Sequence, residues 1–489
     1  MQPNHDPETI EIIGSTLTQI LTQYYQEKVD EPVLAYRTKS QIMAQFHCDE
    51  PPYEGRPLQE VIETFRSEIL PLSVKTWHPG FLNQMFAGAS YPSIIGDLLA
   101  SMMNPTMATW EMSPVATLIE QNIAQWMAQL IGMPKGSGGI FLPGGTVSNL
   151  LALTVARNRY LSPEVRDRGL CHVPPGAIIC SEASHYSIAS AANLLGIGLD
   201  QVFRVPVNRR QEMDAGCLRQ MIEHVRSKGL NPFAVVATTG VTVTGGFDPL
   251  AEIAAIVKDA QIHLHVDAAF GGGLAFSDRR SLHFSGIEHA DTVSWDAHKW
   301  MHTPLTCSVL LVPDPTILEQ TFSLKADYLF HPQQEDLLAD LGKSTILCGK
   351  RFDALKIWLL WHTYGTQYFA NLANERLAVM ERLDHWIAAD TEFHMDYRMV
   401  SPICCFTYTH EAMNQLDTED RLNFSNQMHR SVREDVKHSG SALFNITKLN
   451  GRDQFRMVFI NPLTDYEYLV GLMENIRARC RQYVNRHLG

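Results

Sequence analysis

The sequence has few of the features that direct a chain to a membrane or to an oxidising compartment. No apolar stretch reaches the length of a transmembrane helix, about 20 residues. The first six residues are polar and lack the basic start and apolar core of a secretory signal peptide. The nine cysteines are scattered and form no Cys-x-x-Cys pair, which argues against a disulfide framework or a zinc site. We therefore expect a cytoplasmic protein with free thiols, no membrane partner and no bound metal.

Positive charge is also scarce. Forty Lys and Arg residues against 53 Asp and Glu residues give a formal net charge of −13. Nucleic acid and anionic membrane both need a basic surface, and the short basic stretch at 204–210 does not reverse the overall balance. We therefore expect a small molecule, and not nucleic acid, as the main partner. A chain of 489 residues can bury a large core, which is typical of one large domain with smaller appendages.

Between about residues 95 and 365, short β-rich runs alternate with helical stretches. The predicted helices include 146–160, 184–195 and 249–260, and the predicted strands are 176–181, 233–239, 262–266, 291–295 and 307–312. Buried strands that alternate with helices predict an α/β fold with a mostly parallel central sheet. Ligands on such sheets bind at the carboxyl ends of the strands, so residues at those ends are the first candidates for a site.

The segments on either side of this region have different sequence patterns. Residues 7–30 have the periodicity of an amphipathic helix. After about residue 365 the sequence predicts helices at 366–388, 418–437 and 465–485 and strands at 402–408 and 454–460. We therefore expect three parts, an N-terminal helical segment (1–94), a large domain (95–365) and a small α+β C-terminal domain (366–489).

Two predicted strand ends carry side chains that suit pyridoxal 5'-phosphate (PLP). Lys299 lies just after one apolar strand, and Asp267 ends another. A lysine amine can bond the aldehyde of this cofactor. A carboxylate can keep the pyridine nitrogen protonated, so that the ring accepts electrons from a breaking bond. The small Ala269 leaves room for one face of the ring.

Three further motifs fit the same cofactor. The turn 144–146 precedes an apolar helix, and glycines at a helix N-terminus let backbone N–H groups approach a phosphate. His185 follows a strand and could stack on the ring, and Thr242 could hydrogen-bond the phenolic oxygen. Each motif alone also fits a structural role, such as a glycine turn, a capping histidine or a β-turn. The order of all five features along the chain predicts PLP binding.

The same residues resemble fold-type I PLP enzymes and, within them, the group II amino-acid decarboxylases, of which glutamate and cysteine sulfinate decarboxylases are the most similar. The likeness covers nearly the whole chain from about residue 60, and the matching stretches are 78–84, 144–146, 184–188, 245–250, 265–269, 296–299, 348–353 and 455–462. It implies an aspartate aminotransferase-like fold, a homodimer with its active site at the subunit interface, and α-decarboxylation of an amino acid to an amine and CO2.

The resemblance also implies roles for single residues. Lys299, His185 and Asp267 would be catalytic. The cofactor would contact Gly145, Thr146, His185, Thr242, Asp267, Ala269, Ser294, His298 and Lys299. The substrate would contact Gln84, Thr106 and Arg456, and the arginine favours a substrate with a second carboxylate. We therefore expect a small acidic L-amino acid, namely glutamate, aspartate or cysteine sulfinate.

The loop at 331–344 departs from the family pattern. The relatives carry a tyrosine in this loop that helps to protonate Cα, whereas this loop has none and Ala339 stands at the aligned position. The proton would then come from His185, His331, Lys343 or water. Alternatively, the reaction has an oxidative or transamination outcome.

The expected substrate pocket departs as well. Thr106 and Ala108 replace an amide and an aromatic ring of glutamate decarboxylases. The stretches 327–329 and 351–356 resemble diaminobutyrate decarboxylases, so a diamino acid is the main alternative substrate. A non-enzymatic scaffold is a further alternative, but it would not need Lys299, Asp267 and His185 together.

Overall fold

A computed structural model of the protein describes residues 7–26, 31–46, 50–326, 330 and 339–488. The α-helices are α1 (Pro7–Gln26), α2 (Lys39–Phe46), α3 (Leu58–Thr64), α4 (Tyr91–Met103), α5 (Pro114–Ile131), α6 (Gly145–Ala156), α7 (Val165–Arg168), α8 (Ser187–Leu194), α9 (Ala215–Ser227), α10 (Leu250–Ala260), α11 (Arg280–Phe284), α12 (Ala297–Trp300), α13 (Thr316–Phe322), α14 (Ala354–Ala389), α15 (Thr418–Ser439) and α16 (Tyr466–Leu488). The strands are β1 (Gly138–Leu142), β2 (Gly176–Ser181), β3 (Val202–Val205), β4 (Asn231–Thr238), β5 (His263–Asp267), β6 (Thr292–Asp296), β7 (Ser308–Val312), β8 (Phe393–His394), β9 (Ile403–Tyr408), β10 (Asn445–Leu449) and β11 (Arg452–Val458).

Seven strands form one large sheet in the order β1-β7-β6-β5-β4-β2-β3. The strands β2 to β6 are parallel to one another, whereas β7 runs antiparallel to both of its neighbours, β1 and β6. The central strands β2 and β5 to β7 are buried along their whole length, as expected for a sheet covered by helices on both faces. The α/β fold with a mostly parallel sheet, predicted from the alternating pattern, is confirmed.

The register of the strands aligns several strand ends at one edge of the sheet. Thr238 at the end of β4 pairs with Asp267 at the end of β5, and Asp267 in turn pairs with Ser294 on β6. Ser308 at the start of β7 pairs with Leu142 on one side and with Asp296 on the other. The carboxyl ends of β1, β4, β5 and β6 therefore lie side by side, where the sequence predicts a ligand.

Most predicted elements of the central region are present, and their ends agree within a few residues. The sequence did not predict β1, whose Gly138-Gly139 start is poor in strand-forming residues. Gly139 is required there, because a Cβ atom would lie 2.2 Å from the carbonyl oxygen of Leu310 on β7. The predicted helix 366–388 is the second part of α14, which is kinked at Gly365, where the backbone is not helical (φ of 72°). The end of the predicted N-terminal helix, 27–30, lies outside the described residues.

The described part of the chain forms two compact units. One contains the described residues of Met1–Gly88, Thr391–His394 and Phe406–Gly489, and the other contains Ala89–Asp390 and Met395–Cys405. The large sheet belongs to the second unit. A four-stranded sheet of order β10-β11-β9-β8 has antiparallel outer pairs. The three-part division expected from the sequence stays a prediction.

Two chemical findings concern the described residues as a whole. No helix among them is both long enough and apolar enough to cross a membrane. The eight cysteines that the structure describes are free thiols.

Candidate active site

Lys299 lies on the short helix α12, directly after the buried strand β6. Its Nζ atom is 3.1 Å from Oδ2 of Asp296, the last residue of that strand. The side chains are 18% and 4% exposed, so the ion pair is largely buried. Residues three positions apart on a helical turn lie on the same face, which explains why the two groups meet. The fold thus holds a lysine amine at the carboxyl edge of the sheet.

Asp296 is a site residue that the sequence analysis did not select. Its Oδ1 atom accepts a hydrogen bond from Ser308 Oγ, and Nε2 of His298 is 3.6 Å from its Oδ2. Burial lowers the pKa of His298, so this ring favours its neutral form. The signal that could have identified Asp296, an acidic residue at the end of an apolar strand, is the one that identified Asp267.

Asp267 ends β5 and is buried. Its Oδ1 atom accepts from the backbone N–H of Ala269 at 3.1 Å, and its Oδ2 atom accepts from Nδ2 of Asn149 at 2.9 Å. The backbone oxygen of Asp267 accepts from the N–H of Thr239, which begins the turn that carries the half-buried Thr242. The carboxylate therefore has a fixed orientation, and the Thr242 turn begins beside it.

His185 follows β2 and is half-buried. Burial lowers its pKa, and the positive charge of Lys299 adds to this effect, whereas the negative charges of Asp267 and Asp296 oppose it. His185 is linked to Asp267 by hydrogen bonds, since its Nδ1 atom lies 2.8 Å from Oγ of Ser187 and Nδ2 of Asn149 donates both to Ser187 and to Asp267. An imidazole with a lowered pKa is neutral near pH 7.

The glycine turn meets the same edge of the sheet. Gly144 has φ of 102°, and α6 begins at Gly145. A Cβ atom on Gly145 would lie 3.0 Å from both carboxylate oxygens of Asp296 and 3.3 Å from Cβ of Ala269, so only glycine leaves this space open. Thr146 in the first turn of α6 is exposed. The first N–H groups of a helix have no intrahelical partner and can bind an anion.

These residues fit PLP. The second unit brings together an amine (Lys299), a carboxylate (Asp267), an imidazole (His185) and a helix N-terminus with an open cradle at Gly145. The hydroxyl of Ser294, which the sequence analysis expects to contact the cofactor, donates to Oδ1 of Asn149 at 2.8 Å beside Asp267. The predicted cofactor contacts stay predictions. In the part of the chain that the structure describes, no group of three or more His, Cys, Asp or Glu residues could hold a metal ion.

Thr106, predicted to contact substrate, lies in a segment that is tied to residues 348–350. Its Oγ1 atom donates to the carbonyl oxygen of Cys348 at 3.3 Å, and the N–H of Met107 donates to that of Lys350 at 2.9 Å. Ala108 is buried. These bonds give the 106–108 segment a defined backbone position within the second unit.

The other two predicted substrate residues belong to the first unit. Arg456 on β11 is buried, and its Nη1 atom is 3.5 Å from the carbonyl oxygen of Asn83. Asn445, which pairs with Arg456 across the strands, donates to the same oxygen at 2.6 Å. Gln84 is exposed. Within this unit, the predicted arginine and the residue next to Gln84 are therefore neighbours.

Part of the loop without tyrosine can be located. His331 and the stretch 327–329, which the sequence analysis compared with diaminobutyrate decarboxylases, lie outside the described residues. Ala339, aligned with the family tyrosine, is 7% exposed. Lys343, one of the alternative proton donors, has its Nζ atom 2.8 Å from Oδ2 of Asp340.

Comparison with known proteins identifies a protein family whose profile matches most of the chain. The profile of the pyridoxal-dependent decarboxylase conserved domain matches residues 41–409. The structure is similar to that of mouse CSAD, with a TM-score of 0.91 and 29% sequence identity over 97% of this chain and 99% of the other. It is also similar to Oryza sativa TDC with PLP and tryptamine (TM-score 0.90, 23% identity, 99% of each chain).

A third similar structure is the glutamate decarboxylase domain of diaminobutyrate-pyruvate transaminase and L-2,4-diaminobutyrate decarboxylase from Vibrio parahaemolyticus. Its TM-score is 0.84 at 22% identity, over 99% of this chain and 97% of the other. The fold is therefore that of fold-type I PLP decarboxylases. Since the family profile spans well over half of the sequence, the chain belongs to the pyridoxal-dependent decarboxylases and is a PLP-dependent carboxy-lyase that acts on an amino acid.

Proposed function

We propose that this enzyme removes the α-carboxylate of a small acidic L-amino acid, glutamate, aspartate or cysteine sulfinate, and releases the amine and CO2. The main observation that supports this proposal is that Lys299, Asp267 and His185 lie together at one edge of the sheet. The preference for an acidic substrate is supported by the buried Arg456 and by the similarity to mouse CSAD over nearly the whole chain.

When bound, PLP accepts the electron pair of the bond that breaks at the substrate Cα. Lys299 would hold the cofactor through its Nζ atom and give up that position to the substrate amine. Asp267, oriented by Ala269 and Asn149, would keep a positive charge on the pyridine nitrogen. His185 would cover one ring face and exclude water. Thr242 would bind the phenolic oxygen, and Gly145, Thr146 and His298 would bind the phosphate.

Arg456 would bind the second carboxylate of the substrate. A guanidinium presents several N–H donors in a plane and suits bidentate binding of a carboxylate. Because Arg456 is buried, its interaction with an anion is screened less by solvent than that of a surface arginine. Gln84 and Thr106 would supply further polar contacts. Binding through the distal carboxylate would also orient the α-carboxylate for cleavage.

Proton delivery to Cα must proceed without the loop tyrosine. Within the described site, Lys299 and His185 each carry a proton that can be transferred. Lys343 already pairs with Asp340, which makes it a weaker candidate. We therefore propose that the Lys299 amine would deliver the proton to Cα, with His185 as the neighbouring donor.

A substrate panel tests the proposal. Purified protein with PLP would be incubated with glutamate, aspartate, cysteine sulfinate, 2,4-diaminobutyrate, ornithine and aromatic amino acids, and amine and aldehyde would be followed by mass spectrometry. An amine from one acidic substrate, absent in Lys299→Ala, is expected. Turnover of a diamino acid alone would replace the acidic substrate with the diamino alternative, and an aldehyde product would favour the oxidative alternative.

Arg456 variants separate binding from chemistry. Arg456→Gln is expected to raise KM for the acidic substrate about 100-fold, since it removes a charge-assisted bidentate contact. Arg456→Lys keeps the charge and should have a smaller effect. If neither variant changes KM, Arg456 does not bind the substrate.

We also propose that the enzyme is a homodimer. One face of α4 carries four exposed apolar side chains spaced one helical turn apart, Tyr91, Ile95, Leu98 and Met102, which are 48%, 48%, 60% and 71% exposed. Apolar stripes of this kind mark interaction surfaces, and a second copy of the chain is the expected occupant in this family. The free thiols fit a reducing compartment, which supports a cytoplasmic location.

A further inference from the structure

Asn149 lies at the centre of the hydrogen bonds behind the active site. It is on α6, one helical turn after Gly145, and is 1% exposed. Its amide contacts groups on three other elements: Asp267 and His265 on β5, Ser187 on α8 and Ser294 on β6. All four hydrogen-bonding positions of the amide are therefore used, so its orientation is fixed by its neighbours.

The chemistry of Asp267 fixes which way this amide points. A carboxylate can only accept, so Nδ2 of Asn149 must face Oδ2 of Asp267, at 2.9 Å. The second N–H of Nδ2 donates to Oγ of Ser187, also at 2.9 Å. The amide oxygen Oδ1 then accepts from Oγ of Ser294 at 2.8 Å and from Nε2 of His265 at 3.0 Å.

The same bonds determine which nitrogen of His185 carries a proton. Oγ of Ser187 accepts from Asn149, so its own hydrogen is free to donate to Nδ1 of His185, 2.8 Å away. The backbone N–H of Ser187 points to the same nitrogen at 3.3 Å. Two donors at Nδ1 make that nitrogen an acceptor. The neutral ring must then carry its proton on Nε2.

A second set of bonds holds the amide from behind. His265 donates through Nε2 to Asn149, so in its neutral form its Nδ1 accepts from Oγ1 of Thr292, at 2.9 Å. Oγ1 of Thr292 accepts in turn from Nε2 of His263, at 2.9 Å. All these residues are buried. The donors point in one direction along the chain His263, Thr292, His265, Asn149, Asp267, so each bond supports the next.

We propose that Asn149 is a positioning residue for two sides of the site at once: it orients the Asp267 carboxylate directly, and through Ser187 it sets the tautomer of His185. The ring nitrogen of His185 that does not face Ser187 is thereby a donor. The residues whose charges act on this ring are Asp267, Lys299 and Asp296, and the Tyr186 ring lies 4.2 Å from it between centroids. An N–H group at Nε2 can donate a hydrogen bond to a substrate carboxylate. It can also supply the proton that the missing loop tyrosine would otherwise supply.

This inference rests on the proposed roles of Asp267 and His185, and its test is designed to be separable from them. The first readout is the His185 tautomer in cofactor-free protein, measured from the ring ¹⁵N shifts of labelled histidine and assigned by the signal lost in His185→Gln. The second readout is the affinity for PLP, from titration of the cofactor-free protein. The tautomer readout needs neither cofactor nor turnover.

The test uses four variants and a control. Asn149→Asp replaces two donors with acceptors, and Asn149→Ser is a milder change in case the first does not fold. Ser187→Ala removes only the link to His185, and Ser187→Thr should restore it. Asn158→Asp is the matched control, since Asn158 is a buried asparagine that follows α6 and whose Oδ1 accepts from Nε of Arg157 and not from site residues.

The Asn149 variants are expected to bind PLP about tenfold to hundredfold more weakly, the range for losing a hydrogen bond to a charged group. They and Ser187→Ala should also shift His185 from a single Nε2–H tautomer to a mixture. Ser187→Ala should keep near-normal PLP affinity, because Asp267 keeps its partner. The inference is overturned if whichever Asn149 variant folds leaves both the tautomer and the affinity unchanged, or if Asn158→Asp has the same effects.

Failure of the proposed function has a different signature. In that case wild-type protein would not bind PLP or would release no CO2, whereas the tautomer of His185 would still respond to Asn149 and Ser187. The two ideas can therefore be judged separately from one set of proteins.

Discussion

Lys299 and Asp296 form a largely buried ion pair at the carboxyl end of β6, with Nζ 3.1 Å from Oδ2. The pair joins the residue expected to hold PLP to the strand that positions it. It also lies against Gly145, whose missing Cβ leaves the space beside the Asp296 carboxylate open. The amine is thus kept in place before the cofactor arrives.

Asp296→Asn should destabilise the cofactor-free enzyme more than the PLP-loaded enzyme. In the cofactor-free state it leaves the Lys299 ammonium without its counter-charge, at a cost of about 2 kcal/mol. In the loaded state the amine is engaged by PLP, so the loss is smaller. Thermal unfolding midpoints of both forms measure the difference. The Asp296→Asn, Lys299→Met double variant is the control and should recover most of the stability of the cofactor-free form.

A buried histidine in the first unit should contribute to acid sensitivity. Burial lowers the pKa of His429 to about 4, below its ordinary value of about 6.5. Its Nε2 accepts from the N–H of Tyr408 and its Nδ1 contacts the carbonyl oxygen of Asp453, so protonation would break the first bond. The unfolded state binds the proton first. Stability is therefore full above about pH 6.5 and falls, by about 3 kcal/mol in total, as the pH drops toward 4.

His429→Gln tests this pH dependence, because glutamine keeps a donor and an acceptor but cannot take up a proton. The free energy of unfolding of the variant, measured by urea titration between pH 4 and pH 7, should have a smaller slope against pH than that of the wild type. The same substitution at the exposed His487 is the control. Equal slopes for wild type and His429→Gln would show that His429 does not contribute.

A buried ion pair supports the segment that carries Thr106. Nζ of Lys350 is 2.6 Å from Oε2 of Glu120, both side chains are 2% exposed or less, and the carbonyl oxygen of Lys350 accepts from Met107. Lys350→Met should destabilise the protein by about 3–5 kcal/mol, since it leaves a buried carboxylate unpaired.

A second substitution at Glu120 should restore most of the stability that Lys350→Met loses. Glu120→Gln removes the charge but keeps an oxygen for the N–H of Phe141, which donates to Glu120 at 3.0 Å. The double variant Lys350→Met, Glu120→Gln is therefore expected to be more stable than Lys350→Met alone, as measured by chemical denaturation. A double variant as unstable as the single one would show that Lys350 acts through packing and not through charge.

The proposed homodimer predicts a specific effect at α4. Leu98→Glu places a charge in the exposed apolar stripe and should convert the dimer to monomers at micromolar concentration. Activity should also fall, because we propose that the active site lies at the subunit interface. Sedimentation velocity measures the association state. Leu282 on α11, which is 76% exposed against 60% for Leu98, offers the matched control, Leu282→Glu. A wild-type monomer with full activity would contradict the proposal.

The sequence predicted the fold and the cofactor for physical reasons that are visible at single positions, whereas the roles of the single site residues stay predictions. Asp267 and Lys299 stand where apolar strands end, and strand ends are recognisable from composition alone. Asp296 also ends an apolar strand, but the sequence analysis did not select it, because Lys299, three residues later, already explained the motif. The position of β7 between β1 and β6 could not be predicted, since strand order depends on packing between distant segments.

Asn149 shows the same limit at the level of the site. It stands in the glycine-turn motif, yet nothing local indicates that its amide would reach Asp267, 118 residues further along the chain. That contact exists because α6 packs against the neighbouring strands β5 and β6. Local patterns therefore predict which groups are reactive, whereas the residues that orient them emerge only from the tertiary structure.

The central claim is that the grouping of Lys299, Asp267 and His185 carries out decarboxylation to an amine. The most direct test is a stoichiometric assay with a substrate that carries ¹³C in its α-carboxylate, in which CO2, amine, aldehyde and ammonia are quantified together. We predict equal amounts of labelled CO2 and amine with wild-type enzyme and neither product with Lys299→Ala. Labelled CO2 accompanied by aldehyde and ammonia, or amine formation that persists in Lys299→Ala, would contradict it.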